Sequence, residues 1–543
     1  MRKLDVRIAV SLMAVGAIVL PSNPGLGQAA PKIQWTRPAS AAIPPAGREQ
    51  PSAASSTEHP HKDNSQLVSA SWYVDSVRGK DTNSGQDVNH PFKTIGRLLA
   101  SRIVANQTIA LKAGSQWRET LTIPTTNVTV ISYGNGQQPL LDSSDAVTSS
   151  LWSKIPGAKY VYGVMVPIDA DPNITWVNVW ENGNFLVRAT SIANCDSTPG
   201  SYYPSADTGN GTIQITLYVH TSDGSNPARN RKLYEYSKRQ QALVSLYPNV
   251  TVAGLWTRRN LNNNGSLEVT GMGSLVDKTL ITDGGKHNAY ISPGVSMTDV
   301  TLRNQYYASN DFIMVVMNGN GMPGDSTFTR VHAYSTVSTG VVGSGIGSHS
   351  NDGNPFTGTF TCIDCEVDNV GQGFSPGGWN NVVLTRPITS GTAAGVGVIG
   401  LSSTSITGGY LVALNGRGIT NGGPTNADSS VVIENTSVTS NGGNAILLGA
   451  GSISITSSTI TTADDSNGPI YLTRGTFVLT GNTVDRGTSS TQPFYLLPTG
   501  VSGTSDYNTF LSNATTGMPF WLGAEYSFTQ WQGLGYDLHS TTP

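Results

Sequence analysis

The chain has 543 residues, of which 12% are charged and 61 are glycine, and its formal net charge is −3. A balance this close to neutral provides no field for a polyanion, which argues against a nucleic-acid partner. Low charge and abundant glycine suit a long wall of repeated turns, and one elongated domain can absorb the whole length.

Residues 1–7 are short and basic, with Arg2, Lys3 and Arg7, and 8–20 are apolar (IAVSLMAVGAIVL). Gly27, Gln28 and Ala29 are small or short enough for cleavage after Ala29. This is the pattern of a secretory signal peptide over 1–29, too short to span a bilayer comfortably. No later stretch is long and apolar enough for a transmembrane helix, so the mature chain is expected to be secreted or periplasmic and without a membrane span. Residues 30–71 are rich in Pro, Ala and Ser and read as a disordered linker, with His59 and His61 as solvated side chains.

The folded part begins at Trp72. The stretch WYVDSVRGKDTNSGQDVNHPFKTIGRLL (72–99) predicts a strand, a polar turn and a helix near 91–104. Residues 72–149 form an N-terminal cap and first coils. Residues 150–241 interrupt the pattern with a β-rich insertion that could roof one end of a groove. Trp176 and Trp180 in it read as plugs of its own core, with stacking on sugar rings as the alternative.

From 251 to 523 the chain repeats itself. MTDVTLRN (297–304), FTRVHAYS (328–335), CIDCEVDN (362–369), IENTSVTS (433–440), ITSSTITT (455–462) and LTGNTVDR (479–486) share one alternating pattern. Each is followed by a Gly/Asn-rich turn and a second apolar run. Alternation is the strand signature, and units that cannot bury their own inner face must stack on copies of themselves. The expected fold is all-β: a single-stranded right-handed parallel β-helix over 242–523, with an N-terminal capping helix, the insertion, and a C-terminal tail at 524–543.

The 72–99 segment resembles the opening signature of secreted pectate-lyase-like β-helix proteins, where a helix caps the first coil. IALKAGSQWRETLTIPTTNVTVISYGNGQQPLLDSS (109–144) is similar to their first coils, and AEYSFTQWQGLGYDLHS (524–540) to the closing segment of bacterial carbohydrate-active β-helices. The resemblance implies a monomer acting on a polysaccharide. It specifies architecture more than chemistry, because that superfamily holds lyases, hydrolases and non-catalytic proteins. Some of its lyases use calcium, so Ca2+ stays open, although no clustered Asp motif stands in this chain.

There are three cysteines, Cys195, Cys362 and Cys365. Three strand steps separate the Cα atoms of Cys362 and Cys365 by roughly 10 Å, beyond the reach of a disulfide. Cys365 then reads as a small core residue and Cys362 is undecided. The inward column is expected to run Ile281, Leu302, Ala333, Val367, Leu384, Val438, Ile460, Val484.

The outward columns carry the chemistry. In the C-terminal coils they hold Asn435, Ser437, Thr439, Ser457, Thr459, Thr461 and Thr483. In the middle coils they hold Lys278, Asp299, Arg330 and Asp364; then Thr301, His332 and Glu366; then Arg303, Tyr334 and Asp368. This register sets His332 beside Glu366 and Tyr334 between Arg303 and Asp368. Ordinary ladder pairs on a solvated face would show the same residues, but the contrast with the neutral coils favours an acid–base site. The Gly-rich stretch 343–358 adds His349 and Asp352 as a loop over that face, and GGKHNAY (284–290) adds Lys286 and His287.

Two chemistries compete. In β-elimination on an acidic, uronic-acid-containing polysaccharide, Arg303, Arg330 or Lys286 would neutralise the carboxylate and His332, Tyr334 or His349 would act as base. In hydrolysis, Asp364, Glu366 and Asp368, spaced roughly 6.5–7 Å apart along one strand, would supply an inverting pair. The resemblance and the arginines favour the lyase. A non-catalytic wall-binding or adhesin-like solenoid fits the flat C-terminal coils but not the middle ones. The export expectation is checked directly: N-terminal sequencing of the exported protein should begin at Ala30, and retention of 1–29 would refute it.

Overall fold

The computed structural model describes residues 69–542 except 170–176, 208–213, 262–264, 307–312, 318–323, 337–342, 351–355, 398–399, 422–427, 464–467, 488–491 and 512–518. The signal segment, nearly all of the linker, Trp176 and Asp352 lie outside the described residues.

The chain winds as a parallel β-solenoid whose coils have three faces. The first face includes Ser296–Thr298, Ser326–Thr329, Phe356–Ile363 and Trp379–Thr385. The second includes Thr301–Gln305, His332–Tyr334, Glu366–Asp368 and Ile388–Thr392, and the third Ala289–Ile291, Ile313–Met317, Ser344–Ser350 and Gln372–Ser375. Each strand pairs in parallel with its counterpart one coil away, and the second face is one 13-stranded ladder.

The repeated octet is therefore two strands rather than one. Between the first and second faces a single residue takes φ near +50°: Lys278, Asp299, Arg330, Asp364, Arg386, Asn435 and Ser457 occupy this place in successive coils, with Gly408 and Gly481 among them. One left-handed residue turns the chain through the corner, and Met297 before it and Val300 and Leu302 after it all point inward. The column of Lys278, Asp299, Arg330 and Asp364 is thus a corner and not an outward strand position. Its neighbours of opposite charge pair along the solenoid axis: Arg330 donates to Asp299 at 2.5 and 3.0 Å, and Arg386 to Asp364 at 2.6 and 2.8 Å.

The same corner corrects the cysteines. Asp364 bends the chain between Cys362 and Cys365, which brings their Cα atoms to 5.9 Å, and the two form a disulfide. Both are buried in the core, and Cys195 is a buried free thiol in the insertion.

The inward column of the second face reads Ile281, Leu302, Ala333, Val367, Thr389, Leu411, Val438, Ile460 and Val484. Thr389 takes the place expected for Leu384, which stacks instead on the first face between Cys362 and Ile406. Across the core from Val367 stands Gly345, where a Cβ would lie 2.2 Å from Val367 Cγ1.

Both ends are closed. A short helix, Ile95–Leu99, packs Ile95 and Leu98 onto the core, and its first N–H groups are met by Thr94 and Glu119. At the other end the helix Phe528–Gly533, with a capping box, lays Trp531 on Phe520 at 5.0 Å. Buried Asp537 accepts from Trp531, Ser505, Ser540 and Asn508.

The insertion leaves after Leu140–Asp142 and the coil resumes at Leu243–Ser245, which stacks directly on Leu121–Ile123. It forms separate four- and five-stranded sheets around its own core, which includes Val164, Leu217 and Tyr202. Trp180 is buried, but not within that core as expected for a plug: its ring lies between Phe185 of the insertion and Tyr306 and Arg259 of the solenoid. Replacing Val367 by Asp would bury an unpaired charge at the centre of the stack. It should cost about 3–5 kcal/mol in denaturant unfolding, and unchanged stability would contradict the inward assignment.

Candidate functional site

On the second face, residues that alternate with the buried column point out. Register places His332 beside Glu366 and Tyr334 beside Asp368, with Thr301 and Arg303 one rung before and Ile388 and Ser390 one rung after. Parallel neighbours lie roughly 4.8 Å apart, so two short strands bring three acid–base groups together. One side-chain donor or acceptor atom from each of His332, Glu366 and Asp368 lies within 4.8 Å of the others.

His332 Nε2 stands 2.7 Å from Asp368 Oδ2, and Ser390 Oγ donates to Asp368 Oδ1. An ionised Asp368 can only accept, so His332 donates from Nε2. The Tyr334 ring stacks on the imidazole at 4.5 Å. The side chains of His332 and Asp368 keep 35% and 22% exposure, enough for a ligand to reach them. Burial pushes the Glu366 carboxyl above its ordinary value and the Asp368 charge adds to this, while His332 opposes it. The cluster thus combines a carboxyl biased toward its protonated form with an oriented carboxylate.

One imidazole and two carboxylates do not fit calcium, which takes six to eight oxygen ligands. His332 Nε2 is moreover engaged with Asp368.

The other expected site residues lie elsewhere. Arg330 and Asp364 sit on the corner, each engaged with its oppositely charged corner neighbour. Asp364 therefore does not share a strand face with Glu366 and Asp368. The backbone of His349 belongs to the third-face strand Ser344–Ser350, paired with Ile313–Met317, so this stretch is not a loop over the second face. Asp352 lies outside the described residues. His287 is buried at 1% exposure and cannot meet a polymer directly. Lys286 is half-buried, burial lowers its pKa, and its carbonyl accepts from Gln305. Among the described residues the Arg303 side chain has no hydrogen bond or ion pair.

Sequence reading missed Ser390, whose place after the corner at Arg386 is visible only once that corner is known. It also missed an ion network on the N-terminal rungs. Arg258 donates to buried Asp142 at 2.7 and 2.9 Å, Arg259 pairs with Glu235 of the insertion at 2.6 Å, and Arg118 also pairs with Glu235. Burial alone would raise both carboxyls. The guanidiniums of Arg258, Arg259 and Arg118 around Asp142, and of Arg259 and Arg118 around Glu235, outweigh it and hold both below the usual range.

No family model and no curated protein sequence matches the chain. Among solved structures it is similar to the XylC–xylose complex, at 12% identity over 87% of this chain and 85% of that one, with a TM-score of 0.53. A structure named as a glycoside hydrolase follows at 9% identity, covering 80% of this chain and 96% of that one, TM-score 0.39. A GH136 lacto-N-biosidase from Eubacterium ramulus matches at 10% identity over 81% and 63%, TM-score 0.25. The first shares the β-solenoid fold; the other two fall too low to carry weight.

Because the fold raises the pKa of Glu366, the folded chain holds that proton more tightly than the unfolded chain. The stability this lends is complete below the ordinary glutamate value and is lost as pH rises through the raised one. Glu366→Gln should therefore match the parent in Tm at acid pH and exceed it at neutral pH. A Tm difference that does not change with pH would show that Glu366 is not perturbed.

Proposed function

We propose that this protein is an exported enzyme that cleaves glycosidic bonds in a polysaccharide, by hydrolysis at Glu366 and Asp368. The observation that carries the reading is the pair of neighbouring carboxyls in unlike surroundings, one favoured in its protonated form and one oriented by His332 and Ser390. Environments that differ in this way suit an acid and its ionised partner. Glu366 donates its proton to the glycosidic oxygen as that bond breaks, and the Asp368 carboxylate adds to the anomeric carbon. Water then attacks the glycosyl ester, Glu366 takes up the proton, and Asp368 is released. The close approach of the two groups favours this retaining course over an inverting one, which needs about 6.5–9.5 Å to admit a water. His332 holds Asp368 in place, and Tyr334 backs the imidazole.

Further support comes from the fold shared with the xylose complex of XylC and from the disulfide, which suits an oxidising compartment. The leader-like residues 1–29 favour export. No helix among the described residues is long and apolar enough to cross a membrane.

Arg303 supports a second reading. It pairs in register with Tyr334 one rung on, an arrangement suited to neutralising a uronate carboxylate beside a base for β-elimination. Purified protein incubated with polygalacturonate, alginate and xylan separates the two. Hydrolysis raises reducing ends alone, with the anomeric configuration retained by NMR; elimination also raises the ultraviolet absorbance of unsaturated uronate. His332→Ala and Glu366→Gln should each lower the rate by about 10²-fold or more and stay folded, while Thr459→Ala on the neutral coils should change nothing. Full activity in both middle-coil variants would remove the site from this face.

A further inference from the structure

The outward side of the second face is not equally open along its length. One outward column runs through Asp142, Arg258, Thr282, Arg303, Tyr334 and Asp368. At its N-terminal end Asp142 and Thr282 are fully buried although they point away from the core. The insertion lies over these rungs: its Glu235 is held by Arg118 and Arg259, and its Phe185 stacks on Tyr306 at 3.8 Å, one residue beyond the strand that carries Arg303.

On the other side of the carboxyl pair the face is open among the described residues. Ser390 is exposed, and Tyr410 is 54% exposed in the column that holds His332, Glu366 and Ile388. Two rungs separate Arg303 from Asp368, roughly 10 Å. That span accommodates a short saccharide, and beyond it a continuing chain would run into the insertion.

We propose that the insertion closes the groove on the Arg303 side, so that the polymer lies toward the C-terminal coils, stacks a sugar ring on Tyr410, and is cut from a chain end. This rests on the glycosidic-cleavage reading above. The apolar face of a sugar ring fits the exposed phenol ring, which has no ring or side-chain hydrogen-bond partner among the described residues.

The test uses the mature protein with polygalacturonate, alginate and xylan, following reducing ends, viscosity and product size together. Chain-end attack raises reducing ends while viscosity barely falls, with one short saccharide as the earliest product. Tyr410→Ala should keep its Tm and raise KM for the polymer about three- to tenfold, with kcat little changed. It should leave untouched an aryl monosaccharide too short to reach two rungs past Glu366. A steep early loss of viscosity with long fragments overturns chain-end attack and leaves the cleavage reading standing. An unchanged polymer KM in Tyr410→Ala overturns the ring platform. If no polymer yields new ends, the cleavage reading itself fails.

Discussion

The structure depends on one backbone constraint, the single left-handed residue between the first and second faces. A chain that runs straight through this point would flip every following side chain to the opposite side of the wall. With one residue at φ near +50°, Met297 and Val300 both reach the core and the next strand starts in phase. Left-handed backbone costs most residues about 1–2 kcal/mol. Asp, Asn and Gly tolerate it best, yet Lys278, Arg330 and Arg386 also occupy the corner. There the opposite charges of Asp299 and Asp364 lie alongside, and the bidentate pairs keep successive corners in step. Being exposed, these pairs contribute little energy each; register is their main effect.

The site follows from that register. Because corners align, the first outward residue of each second-face strand meets its counterpart one coil on, and so does the third. Two coils then suffice to gather His332, Glu366 and Asp368, with Tyr334 stacked behind. Partial burial makes their mutual influence larger than it would be in water, and so Glu366 feels both its low-dielectric surroundings and the charge on Asp368. The coils further on line the same scaffold mostly with Thr and Ser.

The insertion is joined to the solenoid by charge as well as by packing. Asp142 and Glu235 are buried among three arginines, and Arg259 also lies over the Trp180 ring at 4.5 Å. Buried ion networks of this kind are weak sources of net stability, but removing one member leaves a stranded charge. Their directional bonds fix where the insertion sits, and its position decides how far the groove extends on the Arg303 side.

Alternating residues and recurring turns were enough to establish a β-solenoid, and alignment of the repeats was enough to pair His332 with Glu366 and Tyr334 with Asp368. Both are local matters: side-chain parity along a strand and a fixed spacing between strands. The corner escaped, because an αL residue leaves no mark when it is Lys, Arg or Asp rather than Gly. With it escaped the 5.9 Å approach of Cys362 and Cys365, the removal of Arg330 and Asp364 from the face, and the arrival of Thr389 and Ser390 in the columns of Val367 and Asp368. The strand at His349, the burial of His287 and the pairing of Glu235 with arginines far away in sequence were decided by tertiary structure alone. Each depends on which distant segments the coils bring into contact, and no spacing within the chain encodes that.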